Sequence, residues 1–177
     1  MKPFEIPSSL VQEVTAAVQE NPGVMLRDLA QRFGVTEGAV AQALPAEMRA
    51  FAPVEAFDRV WEAMASWQAV TVIACTPGMI MEFKGTLPGG KHGHGMFNLH
   101  AENHPLGGHF FVKDLGAICF LSKPFFGLES HSVQFYNTKG EGMCAVYVGR
   151  EGRSKLIDAV RDAYMALRDA VCVREEK

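Results

Sequence analysis

The chain has 177 residues, 48% of them hydrophobic and 21% charged, with 17 Lys and Arg against 20 Asp and Glu for a net charge of -3. That balance belongs to a globular protein and excludes intrinsic disorder, collagen-like repeats and a coiled-coil rod. It also leaves no basic excess to gather nucleic acid or an anionic membrane. One domain with a small satellite is expected, with a core that needs no metal or disulfide staple. The longest apolar runs, such as 69–75, are too short to cross a bilayer, and no continuous apolar stretch follows the first lysine. A soluble cytoplasmic protein is therefore expected. Cys75, Cys119, Cys144 and Cys172 form no C-x-x-C pair and are expected to be reduced thiols.

In chain order, the first fifty residues read as short helices. Leu10, Val11, Val14, Ala17 and Val18 recur at helical spacing behind Ser8 and Ser9, and Asn21-Pro22-Gly23 breaks the chain. A second helix over about 25–33 carries Leu26, Leu29, Ala30 and Phe33 on one face. A third carries Val40, Ala41 and Leu44 and stops at Pro45. The pair resembles a helix-turn-helix. The would-be recognition stretch 36–43 has one acid and no Arg or Lys, where base and phosphate readout leans on basic side chains. It is read as a packing module. After a linker near Pro53, a helix over 54–67 aligns Phe57, Val60, Trp61 and Met64. Strands are expected over 69–75, 78–84, 96–101, 109–113, 117–122, 131–137 and 143–148, with short Gly- and Pro-rich connections. So many strands without intervening helices imply an antiparallel sheet of about seven strands. An amphipathic helix over 154–173 closes the chain. The fold class is α+β: a helical module over 1–50, then an antiparallel-sheet domain over 51–177 with a long C-terminal helix.

The chemistry is concentrated in the strands. All six histidines (His92, His94, His100, His104, His109 and His131) lie between positions 92 and 131. His92-Gly93-His94 has no Cys, Asp or Glu partner at a metal spacing, and a loop contact to an anion competes with a zinc reading. No Gly-x-Ser-x-Gly elbow, P-loop, His-Glu-x-x-His or dinucleotide fingerprint is present, so hydrolase and dehydrogenase readings drop out. What remains is an apolar sheet with isolated soft or imidazole ligands. Met79 and Met81 share a strand face, with Cys75 at the end of the preceding strand. His109 shares a face with Phe111, and Phe125 and Phe126 sit in a loop. Such a surface suits heme, with Lys91, Lys123 or Arg150 meeting its propionates.

Ordered motifs across nearly the whole chain carry a resemblance. Gln42-Ala43-Leu44-Pro45 is followed by Phe57-Asp58-x-Val60-Trp61 and Trp67. The most specific stretch runs Met81-Glu82-Phe83-Lys84-Gly85-x-Leu87-Pro88-x-Gly90-x-His92-x-His94-Gly95-x-Phe97-Asn98-Leu99. Then come Gly108-His109, Phe125-Phe126-Gly127, Phe135-x-Asn137 and Val148-Gly149-Arg150. In these the chain resembles the HutX/ChuX family of intracellular heme utilisation carrier proteins.

The resemblance implies a large antiparallel sheet flanked by helices, a homodimer, and binding of heme b. It implies that heme is taken up after import and passed on for iron release or storage, with an importer and a heme-degrading enzyme as partners. Related proteins of about double length repeat the unit. His109 falls on the position of a family heme-ligand histidine. A second implicated histidine position is Cys75 here, a departure from the pattern: a cysteine either ligates ferric heme as thiolate or is an inert thiol. His109 and Cys75 are thus the iron-ligand candidates, with Met79, Met81, Phe111, Lys91 and Lys123 as further heme contacts. His131 matches no motif histidine. A noncatalytic carrier is the first functional reading; a heme-degrading enzyme is the alternative, and a DNA-binding heme sensor the third.

Overall fold

A computed structural model describes residues 3–100 and 102–173. The helical module comprises α1 (Ser8–Glu20), α2 (Leu26–Phe33) and α3 (Glu37–Ala43). Gly34 takes a left-handed φ of 65° that ends α2 and returns its N–H to the carbonyls of Ala30 and Gln31. Two residues on, the Thr36 hydroxyl accepts the Ala39 N–H at 3.3 Å and starts α3. From Gly38 to Ala43 every residue of α3 is buried. The helix that would read DNA in a helix-turn-helix is here the packed centre of the module.

The strands are β1 (Arg49–Ala52), β2 (Val70–Thr76), β3 (Met79–Gly85), β4 (Gly90–Gly93), β5 (Met96–Leu99), β6 (His109–Phe110), β7 (Leu115–Ser122), β8 (His131–Asn137), β9 (Gly142–Val148), β10 (Arg150–Glu151) and β11 (Lys155–Leu156). Helix α4 (Phe57–Ala65) follows β1, and α5 (Asp158–Val171) follows β11. Six strands form one antiparallel sheet in the order β1-β7-β8-β9-β2-β3. A second sheet has the order β4-β5-β6, and β10-β11 is a short ribbon.

Strand alternation divides the core in two. Ile118 and Phe120 of β7, Val133 and Phe135 of β8, and Val146 and Val148 of β9 point to one face. They pack there with α4, α5 and the three-stranded sheet. Ala117, Cys119 and Leu121, with Phe51 and Tyr136, point to the other face and meet α1 to α3. Phe57 is the hub of the first core: its ring lies 5.2 Å from Phe97, 4.9 Å from Phe110 and 5.9 Å from Phe135. The buried Trp61 indole donates to the Pro88 carbonyl at 2.9 Å, which ties α4 to the chain entering β4.

The α+β class and the helix-then-sheet order match expectation; four details differ. The expected single sheet of about seven strands is two sheets and a ribbon, because the run after Gly85 leaves the edge of the large sheet and folds over its face. The strand β1 stands where a linker was expected, and the boundary between residues 50 and 51 falls inside it. No strand was expected over Gly90–Gly93, which pairs in register with Met96–Leu99. The strand expected over 109–113 stops at Phe110, and Val112–Asp114 is a 3-10 turn. The strand end expected at Ala101 lies outside the described residues. All four cysteines are free thiols.

Candidate functional site

The β2-β3 hairpin separates the predicted contacts. Its register pairs Ile73 with Glu82 and Cys75 with Ile80, so these side chains share the face that carries the helical module. Ala74 pairs with Met81 and Thr76 with Met79, so Met79 and Met81 occupy the opposite face. There they stand 52% and 51% exposed at the hairpin tip. Cys75 and the two methionines therefore do not line one surface.

The three-stranded sheet turns Phe97 and Phe110 inward, and Lys91, Asn98 and His109 form a cross-strand row on its outer face. His109 Nδ1 lies 2.7 Å from Asn98 Oδ1. Asn98 Nδ2 donates to the Gly93 carbonyl at 3.0 Å, which orients the amide with its oxygen toward the imidazole. An amide oxygen only accepts, so Nδ1 carries the proton and Nε2 keeps its lone pair. Among the described residues Nε2 has no hydrogen-bond partner. This is the preparation that ligand histidines receive from the groups behind them. Phe111 follows, 47% exposed. His109 and Lys91 thus lie on the opposite side of the six-stranded sheet from Cys75.

Cys75 belongs to a groove between the helical module and the sheet. Two cavities of about 480 and 360 Å³ share Ile73, Glu82, Phe125, Ser130 and Tyr147. Each falls in the range of about 300–1,000 Å³ typical of ligand sites. The smaller runs under α2 past Met25, Leu26 and Gln31 to Cys75; the larger opens toward Lys84, Arg150 and Arg153. The wall above the larger cavity is the turn 125–128, closed by reciprocal bonds between Phe125 and Leu128. Phe126 and Gly127 hold φ of 49° and 72°. Glycine adopts that geometry freely, while a bulky residue there is strained. The strain leaves the Phe126 ring 79% exposed at the groove mouth, edge-on to Phe125 at 4.4 Å.

Two groups of the groove, the Cys75 thiol and the Tyr147 phenol, are shifted toward their neutral forms. Partial burial, with the Glu37 carboxylate adding to it and Arg27 opposing, raises the Cys75 thiol above its ordinary value. Burial, then Cys75 and Glu37, raises the Tyr147 phenol, against a hydrogen bond from Ser132.

Lys123, an expected heme contact, lines the smaller cavity. It is a buried cation whose Nζ donates to the carbonyls of Pro22 at 2.7 Å and Val24 at 2.5 Å. It clamps the loop after α1 to the end of β7. His131 is likewise absorbed locally, between Ser122 Oγ at 3.0 Å and Glu129 Oε1 at 2.8 Å and stacked on Tyr164. His92 pairs with Asp58 at 2.7 Å on the surface.

Tyr147 and Arg153 are groove residues that sequence reasoning passed over. The alternation of Val146 and Val148 already places Tyr147 on the far face of β9. Its signal was a phenol in a strand otherwise read as core.

The family model described as Haem utilisation ChuX/HutX matches residues 50–167, from β1 to α5. The intracellular heme transport protein HutX of Vibrio cholerae is 33% identical over 149 residues, 84% of this chain and 77% of that protein. A crystal structure from Erwinia carotovora superposes with a TM-score of 0.84 at 34% identity, covering 93% of this chain and 99% of that one. The structure of the heme binding protein ChuX gives 0.80 at 28% identity, covering 91% and 97%. The Escherichia coli O157:H7 heme degrading enzyme ChuS shares the fold at 14% identity with a TM-score of 0.72, and this chain spans 49% of its length. On the family match and the HutX identity together, the chain belongs to the ChuX/HutX haem utilisation family.

Proposed function

We propose that this protein is a noncatalytic cytoplasmic carrier that takes up heme b after import and passes it on for iron release or storage. The observation that carries the reading is the open groove on the module side of the sheet. It has an aromatic wall at Phe125 and Phe126, a floor on which Ile73 lies beside Glu82 and Tyr147, Lys84, Arg150 and Arg153 at one end, and Arg27 and Lys123 at the other. A dianionic macrocycle fits this lining with its carboxylates at Lys84, Arg150 and Arg153, the more open end, and its ring against the phenylalanines. Arg150 is braced for this by bonds to the carbonyls of Ser154 and Glu129. A carrier must also release its cargo, and an open-sided groove permits exit.

On the other side of the sheet, His109 is the ligand for a second heme contact, with Phe111 beside the ring and Lys91 toward the carboxylates. Cys75 lies in the groove, so the two residues serve different hemes. The exposed methionines at the hairpin tip, Met79 and Met81, fit an apolar contact within a two-fold homodimer that borders these sites. A membrane importer upstream and a heme-degrading enzyme downstream complete the transfer. The family proteins named above as transport and binding proteins support the carrier role.

Titration of the purified protein with hemin, followed by its visible spectrum, tests the reading. A saturable Soret shift is expected. The complex is then incubated with a reductant and oxygen in the presence of catalase. The macrocycle should survive; iron release with a defined tetrapyrrole product would replace the carrier with an enzyme, and an absent Soret shift would remove heme altogether. Sedimentation equilibrium at micromolar concentration should show twice the chain mass.

A further inference from the structure

The floor of the groove spans β8, β9, β2 and β3, and Tyr147 stands at its middle. The register sets Tyr147 beside Ser132 of β8 on one side and Thr71 of β2 on the other. It lines both cavities, whereas Cys75 lines only the smaller and Lys84, Arg150 and Arg153 only the larger. A metalloporphyrin whose carboxylates reach these three cations puts its centre, where the metal is, near the shared residues and leaves Cys75 under its far edge.

The hydrogen bonds behind Tyr147 run in one direction. The buried Tyr136 hydroxyl donates to Gln134 Oε1 at 2.5 Å, which fixes the amide, and Gln134 Nε2 donates to Ser132 Oγ at 3.2 Å. Ser132 keeps its own proton to give, and it is the cross-strand neighbour of Tyr147, able to donate to the Tyr147 oxygen once that oxygen is ionised. Tyr147 thus has a hydroxyl neighbour in the sheet behind it and the two cavities in front of it. When it loses its proton, the donor behind it stabilises the oxyanion and one lone pair faces the cargo.

From this geometry we infer that Tyr147 is the iron ligand of the groove: its phenolate binds ferric heme, backed by the Ser132–Gln134–Tyr136 chain. The inference rests on the groove being a heme site. As the Fe–Oη bond forms, the Oη–H bond breaks and the proton passes to water through the open side; no electron is transferred. Burial keeps the phenol protonated in the empty groove, and the ferric charge supplies the drive to displace the proton. Ligation by tyrosine is an established mode for heme iron.

The test uses the full chain in a His109→Ala background, which removes the contact on the other side of the sheet. Ferric hemin bound there should show a phenolate-to-iron charge-transfer band and phenolate modes in resonance Raman. Tyr147→Phe should abolish both and weaken ferric hemin by about tenfold or more, and Cys75→Ser should leave both in place. Metal-free protoporphyrin IX should bind the Tyr147→Phe protein as well as the parent, because a ligand acts only through the metal. Equal loss of protoporphyrin and hemin would make Tyr147 a packing residue and overturn the assignment. So would phenolate modes that are absent from the parent or persist in Tyr147→Phe while hemin is bound. If neither the wild-type protein nor this background binds hemin, the carrier reading falls first and takes this inference with it.

Discussion

Replacing Asn98 by Ala tests whether His109 is a prepared ligand or an ordinary surface histidine. The substitution removes the Oδ1 acceptor 2.7 Å from Nδ1, together with the Nδ2 bond to the Gly93 carbonyl. The imidazole then rotates freely and loses the constraint that keeps its proton on Nδ1. Groups that orient a ligand histidine are worth about 10- to 100-fold in metal affinity, or about 1.4–2.8 kcal/mol. Hemin affinity at this site should fall by that factor, measured by Soret titration in a Tyr147→Phe background so that only this side of the sheet reports. Folding stability should fall by no more than about 1.5 kcal/mol, the worth of a hydrogen bond near the surface. Asn98→Asp, which keeps an acceptor at the same place, should recover most of the affinity. His109→Ala should abolish the ligand contribution, and adding Asn98→Ala to it should cost nothing further, because Asn98 acts only through the ring. Additive losses, or an Asn98→Ala protein within twofold of its parent while His109→Ala is weak, would refute the preparation argument.

Three other perturbations address the groove and its supports. Burial pulls Lys123 to about 8 from 10.5, so between those values the unfolded chain holds more protons than the folded one and stability rises with pH. Urea denaturation from pH 8 to 10 should show a Lys123 contribution of up to about 1.4 kcal/mol per pH unit, and Lys123→Met should remove it; an unchanged slope defeats the assignment. Phe126→Asn places a residue that tolerates φ of 49° before Gly127, so it should stabilise the fold by about 0.5–1 kcal/mol in thermal unfolding. The same change should speed hemin release in stopped-flow transfer to apomyoglobin, and an unaltered off-rate would dismiss the ring as a clamp. Cys75→Ser should leave the ferric spectrum unchanged, since the thiol is raised and sits under the edge of the ring; a shifted Soret band would return the cysteine to the ligand set.

Elements whose pattern reflects burial were legible before any coordinates. Phe57, Val60, Trp61 and Met64 repeat at helical spacing because one face of α4 meets the core, and all four are buried. Strands β7 and β8 were placed within two residues because both of their faces are covered and their composition is apolar throughout. The segments missed were those whose structure is imposed from elsewhere. Gly-Lys-His-Gly has no strand propensity of its own. It becomes β4 because Phe97 must pair across from His92 while its ring reaches Phe57. The short β1 carries two alanines and looks like a linker, yet Phe51 and Ala52 are buried against β7. The end of β6 at Phe110 follows from the same cause: Phe110 is drawn into the aromatic cluster, and the chain turns away at Phe111 to reach β7.

The candidate site divides along the same line. Alternation within a strand is a local property, so Met79 with Met81, or Ile73 with Cys75, is readable from spacing alone. Which of those faces carries the helical module depends on where residues 8–44 dock, far away in the chain, and no local pattern encodes it. That is why the sequence leaves open whether Cys75 and His109 serve one heme or different hemes, while in the structure they stand on opposite sides of a sheet. The sheet also explains how a histidine position can become cysteine without emptying the groove. Cys75 lies at one end of a floor four strands wide, and the middle of that floor is occupied by the Tyr147 phenol, with Ser132 as its cross-strand neighbour. On the proposed reading Cys75 contributes to the shape of the groove end, while Tyr147 at the middle of the floor meets the metal.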